Sequence, residues 1–385
     1  MDRLWISRAL HERVRGYIAR VASSALADDS FGDESFDAIG LAIARFQAEH
    51  VPAYQRLLRS LALRVEDIGS VRELPAVPTD AFRLTRVAAH PKSEDAIVFR
   101  TSGTTGAAAG EHALSNTLTY EHAALAWGEW ALFPDQLRDA TAIIFAPPVD
   151  ASDVAVRGAS SLHFMIDLFA ARFCAVAHHL QSTAVSPIER RDIVAACDDA
   201  RRRGRPAVLL GTSFAFVHAL DALVGVDLPA SGLQLPPGSR AMLTGGFKGR
   251  SRVVEPTELR ARLAAAFGLP LSALSGEYGM TELSSQLYER TLRHQLGLDA
   301  SGSPDTFVPP PWMRVVAVDP DSLRPLPDGE TGILRFEDLA NVDSALVVQT
   351  ADRGRCTPTG VVLLGRYPGA TPRGCSLAIE DLLGP

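Results

Sequence analysis

The chain has 385 residues, 46% hydrophobic and 22% charged, a balance that excludes disordered and low-complexity classes. Thirty-eight basic against 45 acidic residues leave a net charge of −7. A field of that sign gathers no nucleic-acid backbone without a concentrated basic stripe, which excludes a generic nucleic-acid binder.

In chain order, residues 1–70 read as helices. The first thirty are amphipathic and charged, with Arg3, Arg8, Arg13 and Arg15, unlike a secretory signal. No stretch approaches ~20 consecutive apolar residues, so a cytoplasmic, reduced protein is expected. Ile39, Ile43 and Phe46 recur at helical spacing, and Leu57, Leu58 and Leu61 continue an apolar face. Pro75 and Pro78 break that pattern. From about residue 95 short apolar runs alternate with helical stretches. The runs 140–147, 207–211 and 240–246 read as buried strands, and helices are predicted at about 213–224 and 256–267. The second of these has Pro256 near its start and Gly268 after its end. The alternation predicts a mixed or parallel α/β sheet. After residue 312 the chain turns strand-rich, with "MRVVAVD", "ILRFE", "ALVVQT" and "GVVLLGR". The expected organisation is a helical segment (1–70), an α/β domain (71–310), a β-rich subdomain (311–366) and a short tail (367–385).

Cys174, Cys197, Cys356 and Cys375 form no CxxC pair, so free thiols are expected. Cys174 and Cys197 lie in alanine-rich, helical contexts and read as core residues, and Cys356 reads as part of a polar loop. Trp127, Trp130 and Phe133, spaced by three, fit a helix burying one face. His178 and His179 are adjacent and diverge on either a helix or a strand, which argues against a two-point metal site. Only two cations are lysine, Lys92 and Lys248, against thirty-six arginines. Base-composition bias accounts for the excess, yet an ammonium and a guanidinium are not interchangeable in a site, which singles out the two lysines.

Two elements carry chemistry. Thr101-Ser102-Gly103-Thr104-Thr105-Gly106 follows the apolar "AIVF" and offers hydroxyls and a close-approaching backbone to phosphate oxygens. It lacks the lysine of a Walker loop. Glu277-Tyr278-Gly279-Met280-Thr281-Glu282 places a ring, a hydroxyl and a carboxylate at a strand end, a set able to cover a base and hold a hard cation such as Mg²⁺. Either element alone is equally explained by a polar turn.

Together, TSGTTG and YGMTE resemble the adenylate-forming superfamily, whose members join a carboxylate to ATP, release pyrophosphate and pass the acyl group to a nucleophile. More narrowly, "LPAVPTDAF" (74–82), "GGFK" (245–248), "VPPPWMRVVAVDPDSLRPLPDGETGIL" (308–334) and "RGCSL" (373–377) resemble the acyl-protein synthetases of bacterial luminescence systems. The resemblance implies an α/β adenylate-forming large domain with a β subdomain and a truncated C-terminal tail. It sets Thr101 to Gly106 around the pyrophosphate end of ATP, and Tyr278, Gly279 and Thr281 beside the nucleotide. Glu282 falls near Mg²⁺, and Gly245 and Gly246 next to the adenine. Asp352 falls at the ribose (or is a turn aspartate), and Arg366 at the hinge. Larger members carry a further C-terminal domain with a catalytic lysine; here nineteen residues follow Arg366 and none is lysine. Lys248 is therefore the candidate substitute cation, the alternative being a surface lysine. Cys375, with Arg373 nearby to lower its thiol pKa, matches the family's acyl-accepting position or is a small residue in a docked tail.

The resemblance implies ATP-dependent formation of acyl-AMP from a carboxylic acid, a fatty acid in that family, then thioester transfer to Cys375 and hand-over to a reductase or carrier partner. The alternatives are an acyl- or aryl-CoA or carrier-protein ligase, and a non-catalytic nucleotide-binding partner. "GTSFA" (211–215) also resembles a nucleophile elbow with its last glycine replaced, but His218 is too close and His294 lacks context; lining the acyl pocket is the favoured reading.

Overall fold

The computed structural model describes residues 2–23, 35–101, 109–146, 160–180, 188–224, 233–245, 254–368 and 379. The strands are β1 Val77–Pro78, β2 Ile97–Arg100, β3 Glu111–Leu114, β4 Ala140–Phe145, β5 Cys174–His179, β6 Ala207–Thr212 and β7 Arg240–Thr244. They continue with β8 Leu274–Tyr278, β9 Leu287–Glu289, β10 Phe307–Val308, β11 Met313–Val318, β12 Thr331–Asp338, β13 Val347–Thr357 and β14 Gly360–Arg366.

The central strands are continuous apolar runs because both faces are covered. β5, β4, β6, β7 and β8 are parallel neighbours in that order. Alternate side chains feed two separate cores, as the period of two in a strand dictates. Ala142, Ile144, Val208, Leu210 and Met242 point into one, shared with helices Arg3–Ser23, Phe36–His50, Leu118–Leu132 and Ser161–Phe173. Ile143, Phe145, Leu209, Ala241 and Leu243 point into the other, shared with Arg190–Arg203, Ser213–Ala222 and Pro256–Phe267. The result is a helix–sheet–helix sandwich. The last helix has Pro256 in its first turn and stops at Gly268, whose φ of 66° needs a glycine.

The strand-rich stretch after residue 312 extends the same sheet. β11, β12, β13 and β14 are antiparallel neighbours, and β14 joins β10, which pairs with β9 and so with β8. Three expectations need correction. Cys174 begins β5 instead of lying in a helix: the preceding helix ends at Phe173, and the chain pairs beside β4. Cys356 lies on β13, its thiol bonded to the Val315 carbonyl at 3.4 Å, and not in a polar loop. Leu61 is 43% exposed, because the helix carrying Leu57 and Leu58 ends at Ser60. The tryptophan spacing reads correctly: Trp127 is buried and stacks on Trp130 at 4.1 Å.

Candidate active site

In a parallel sheet, ligand crevices form beyond the carboxyl ends of the strands. β7 ends at Thr244, paired with Glu277 of β8, and Gly245 follows it, exposed and with φ of 67°, a left-handed turn suited to glycine. β8 ends at Tyr278. Its ring stacks on Phe336 of β12 at 5.7 Å, and its hydroxyl donates to Asp352 Oδ2 at 2.7 Å. Asp352 on β13 is in register with Arg366 on β14, whose Nε donates to Asp352 Oδ1 at 3.3 Å. The register of β13 with β14 sets Asp352 opposite Arg366, and the hydroxyl bond brings in Tyr278 from 74 residues away. Burial, then the Asp352 carboxylate, push the Tyr278 hydroxyl well above its ordinary pKa, so it stays a donor. A carboxylate has about four acceptor positions, so Asp352 retains capacity beyond these two bonds.

The turn after Tyr278 is fixed from below. Gly279 is a glycine because a Cβ there would fall 2.5 Å from Glu277 Oε1. The half-buried Thr281 accepts, through its carbonyl, a bond from His112 Nδ1 at 2.8 Å, and the carbonyl of the buried Glu282 accepts from Asn341 Nδ2 at 2.9 Å. Burial pulls His112 down to about 4, so the ring is neutral at pH 7. Bonding a carbonyl requires its proton on Nδ1, which leaves Nε2 to accept from Ser344 at 2.8 Å.

His112 belongs to the hairpin β2–β3, whose connecting loop carries the TSGTTG hexapeptide. Thr101 and Gly110 close that loop: the Thr101 N–H donates to the Gly110 carbonyl at 3.0 Å, and the Gly110 N–H to Thr101 Oγ1 at 2.8 Å. A methyl group placed on Gly110 would lie 3.2 Å from Thr101 Cγ2 and 3.6 Å from Glu282 Oε1. The base of the hydroxyl-rich loop and the glutamate of the second motif therefore meet. Ser102, Gly103, Thr104, Thr105, Gly106, Gly246, Lys248 and Cys375 lie outside the described residues.

Sequence reasoning missed the platform under both motifs, residues 338–345. Asp338 accepts from the Ser284 N–H at 3.0 Å and the Ser285 hydroxyl at 2.8 Å. Asp343 accepts from Ser7 at 2.7 Å, from Ser115, and from His11 at 3.2 Å. Burial would raise Asp343, yet the bonds from His11, Ser115 and Ser7 hold its carboxyl well below the usual range. The only signal in the sequence was four polar residues set among apolar ones in "DLANVDSAL", which by itself reads as a loop.

Glu277 was passed over as well. Burial pushes its carboxyl up to about 7 against the opposing hydroxyl of Thr244, which donates to it. The folded form thus holds a proton that the unfolded chain, titrating near 4.5, has lost. The stabilisation is complete below about 4.5 and is lost as pH rises through 7. A shift of that size is worth on the order of 3 kcal/mol. Glu277→Gln should therefore melt higher than wild type at pH 8, with the gap closing at pH 5; equal melting temperatures at both pH values would count against the buried, protonated carboxyl.

The strand order and the strand-rich extension are those of the α/β fold of the adenylate-forming enzymes, β subdomain included. Solved structures of 2-hydroxyisobutyryl-CoA ligase share it. The open form, in complex with 2-HIB-AMP and CoA, superposes with a TM-score of 0.58 at 14% identity, over 89% of this chain and 81% of the ligase. The postadenylation state with 2-HIB-AMP gives 0.60 at 15%, over 89% and 73%. The thioesterification state with 2-HIB-AMP and CoA gives 0.59 at 15%, over 95% and 69%. No protein-family model matches the sequence, and comparison with curated proteins gives no match. Among the described residues no helix is long and apolar enough to cross a membrane.

Proposed function

We propose that this protein is an ATP-dependent acid–thiol ligase that forms acyl-AMP and passes the acyl group to a thiol. The observation that carries the reading is the meeting of the Thr101–Gly110 loop base with Glu282, beside the Tyr278–Asp352–Arg366 cluster, on an adenylate-forming fold. A carboxylate is a poor electrophile, and adenylation turns its oxygen into a good leaving group. In the first step a carboxylate oxygen attacks the α-phosphorus, a C–O–P link forms, and pyrophosphate departs. In the second a thiolate attacks the acyl carbon, a thioester forms, and AMP departs. Thr101 to Gly106 hold the phosphates, Gly245 and Gly246 border the adenine, Tyr278 with Gly279 covers the nucleotide, and Asp352 holds the ribose with Arg366 behind it. Thr281 bonds the reacting phosphate, and Lys248 neutralises charge that grows between carboxylate and phosphate.

Mg²⁺ fits this donor set. A buried carboxylate beside a threonine hydroxyl is hard oxygen chemistry, and Glu282 with Thr101 would hold the ion. When bound, the metal supplies charge neutralisation on the phosphates.

The acceptor in this reading is Cys375, as the resemblance to acyl-protein synthetases implies, with a fatty acid as substrate, a reductase or carrier partner, and a cytoplasmic setting. A second reading, ligation to CoA, is favoured by the CoA held in the 2-hydroxyisobutyryl-CoA ligase structures of the same fold. ATP–pyrophosphate exchange over a panel of acids tests the activity; no exchange with any acid, together with no heat on adding ATP and magnesium, sinks it. Intact mass before and after hydroxylamine separates the acceptors. Cys375→Ser should lose the acyl adduct completely while retaining exchange, and an adduct that survives the change rules out self-acylation there.

Asp352→Asn should raise the KM for ATP by about tenfold or more, the scale of a lost charged hydrogen bond, with kcat far less affected. Tyr278→Phe, which leaves the carboxylate in place, should have a smaller effect. A lowered melting temperature with unchanged KM would mark Asp352 as structural.

A further inference from the structure

The N-terminal helix Arg3–Ser23 belongs to the segment that the sequence sets apart as helical, yet it sends two side chains into the platform beneath the second motif. Ser7 and His11 stand one turn apart on the same helix face, and both reach Asp343. Ser7 donates to Oδ1 at 2.7 Å and His11 Nε2 to Oδ2 at 3.2 Å, while Ser115, just beyond β3, donates to the same Oδ2. Of these three donors only the imidazole can carry a positive charge. Its ring is also held from the far side. Nδ1 meets the Thr119 hydroxyl at 2.8 Å, and Arg15, one turn further along the helix, donates to that hydroxyl at 3.2 Å. His11, Thr119 and Asp343 are all buried.

From Asp343 the path to the motif is short. Ser344, the next residue, donates to His112 Nε2 at 2.8 Å, and His112 Nδ1 donates to the Thr281 carbonyl at 2.8 Å. Three hydrogen bonds and one peptide therefore join the helix to the motif. The Asp343–Ser344 peptide is held at two points. Its carbonyl accepts from the Ala89 N–H at 2.8 Å, and the Asp343 carboxylate is tied to Ser7, His11 and Ser115. One point alone lets a peptide swing about it, so the carboxylate's ties decide where Ser344 stands. Without His11 that carboxylate keeps two hydroxyl donors, and a buried anion short of donors turns toward others or takes up a proton. We propose that His11 is a positioning residue for the second motif: through Asp343, Ser344 and His112 it fixes the Thr281–Glu282 peptide. The effect on turnover rests on the acyl-AMP reading above, and the effect on the backbone does not.

His11→Ala should lower kcat for ATP–pyrophosphate exchange about tenfold, the scale of a lost hydrogen bond to a charged group, with the KM for ATP moved by less than about twofold. His11→Gln, whose amide offers Asp343 a donor again, should recover most of the rate. Val14→Ala is the control for stability alone: Val14 is wholly buried on the same helix and off the path, so its cavity should lower the melting temperature and leave kcat as in wild type. Amide hydrogen exchange reads the positioning without turnover. In His11→Ala the amides of 279–286 should exchange severalfold faster, while helix Arg190–Arg203, in the other core, keeps its wild-type rates. Should His11→Ala fail to fold, Ser7→Ala removes a neutral donor from the same carboxylate and carries the same comparison with a smaller effect. A wild type that exchanges pyrophosphate with no acid removes the ligase reading, and the amide comparison then decides the positioning role by itself. Acceleration confined to 279–286 that His11→Gln reverses supports the role. Unchanged amides at 279–286, acceleration spread equally over Arg190–Arg203, or a kcat that Val14→Ala lowers as much as His11→Ala, overturns it.

Discussion

Lys248→Ala should lower ATP–pyrophosphate exchange by about 10²–10³-fold, the range for losing one preorganised transition-state contact. As the carboxylate approaches the α-phosphate, two anions close on each other and pyrophosphate gathers charge as it leaves. A cation placed there is worth more in the transition state than in the ground state, so the loss should fall on kcat. The chain uses arginine at thirty-six of its 38 basic positions, and Lys248 stands three residues beyond Gly245, the left-handed residue that follows the end of β7. An ammonium concentrates its charge on one atom at the end of a flexible stem, which suits a moving phosphoryl group. Lys248→Arg should accordingly recover part of the rate lost in alanine without restoring wild type. A change confined to the KM for ATP, or a loss under tenfold, refutes the role.

The parts of the fold set by local rules were legible in the sequence. The buried strands β4, β6 and β7, the helix between Pro256 and Gly268, and the four strands after residue 312 stand where periodicity and turn residues put them. Cys174 and Cys356 were misread because alanine-rich and polar neighbours outweighed strand pairing, which is set by partners distant in the chain. The same limit explains the site. Tyr278 stood out as the ring of the second motif, but Asp352 and Arg366 each looked like an isolated polar residue, and what joins the three is the register of β13 with β14 and the bond and stacking of Tyr278 against β13 and β12. The resemblance supplied Asp352 and Arg366; composition and spacing did not. The platform at 338–345 was invisible for a related reason: its carboxylates and amide serve backbone and side-chain groups of other segments, so no local pattern marks them.

That platform explains why the second motif should be sensitive to small changes. Glu282→Gln should reduce exchange by about 10²-fold or more, with the requirement for magnesium shifted to higher concentration. The carbonyl of Glu282 is held by Asn341, and the preceding carbonyl by neutral His112, so the peptides on both sides of Glu282 are fixed before any ligand arrives. The residue is buried, 7% exposed, and its carboxylate lies beside Gly110 and Thr101, at the base of the loop that would grip the phosphates. Glutamine keeps the shape and removes the charge, so backbone positioning survives while affinity for a hard cation falls. Raising magnesium should restore part of the lost rate in Glu282→Gln and none in Lys248→Ala, since the two residues balance opposite charges. His112→Asn supplies the complementary case: it leaves the carboxylate in place but loosens Thr281 and the hairpin, so kcat should fall with little change in the magnesium requirement. Equal magnesium curves for wild type and Glu282→Gln would remove the metal from this carboxylate and leave Glu282 a packing residue.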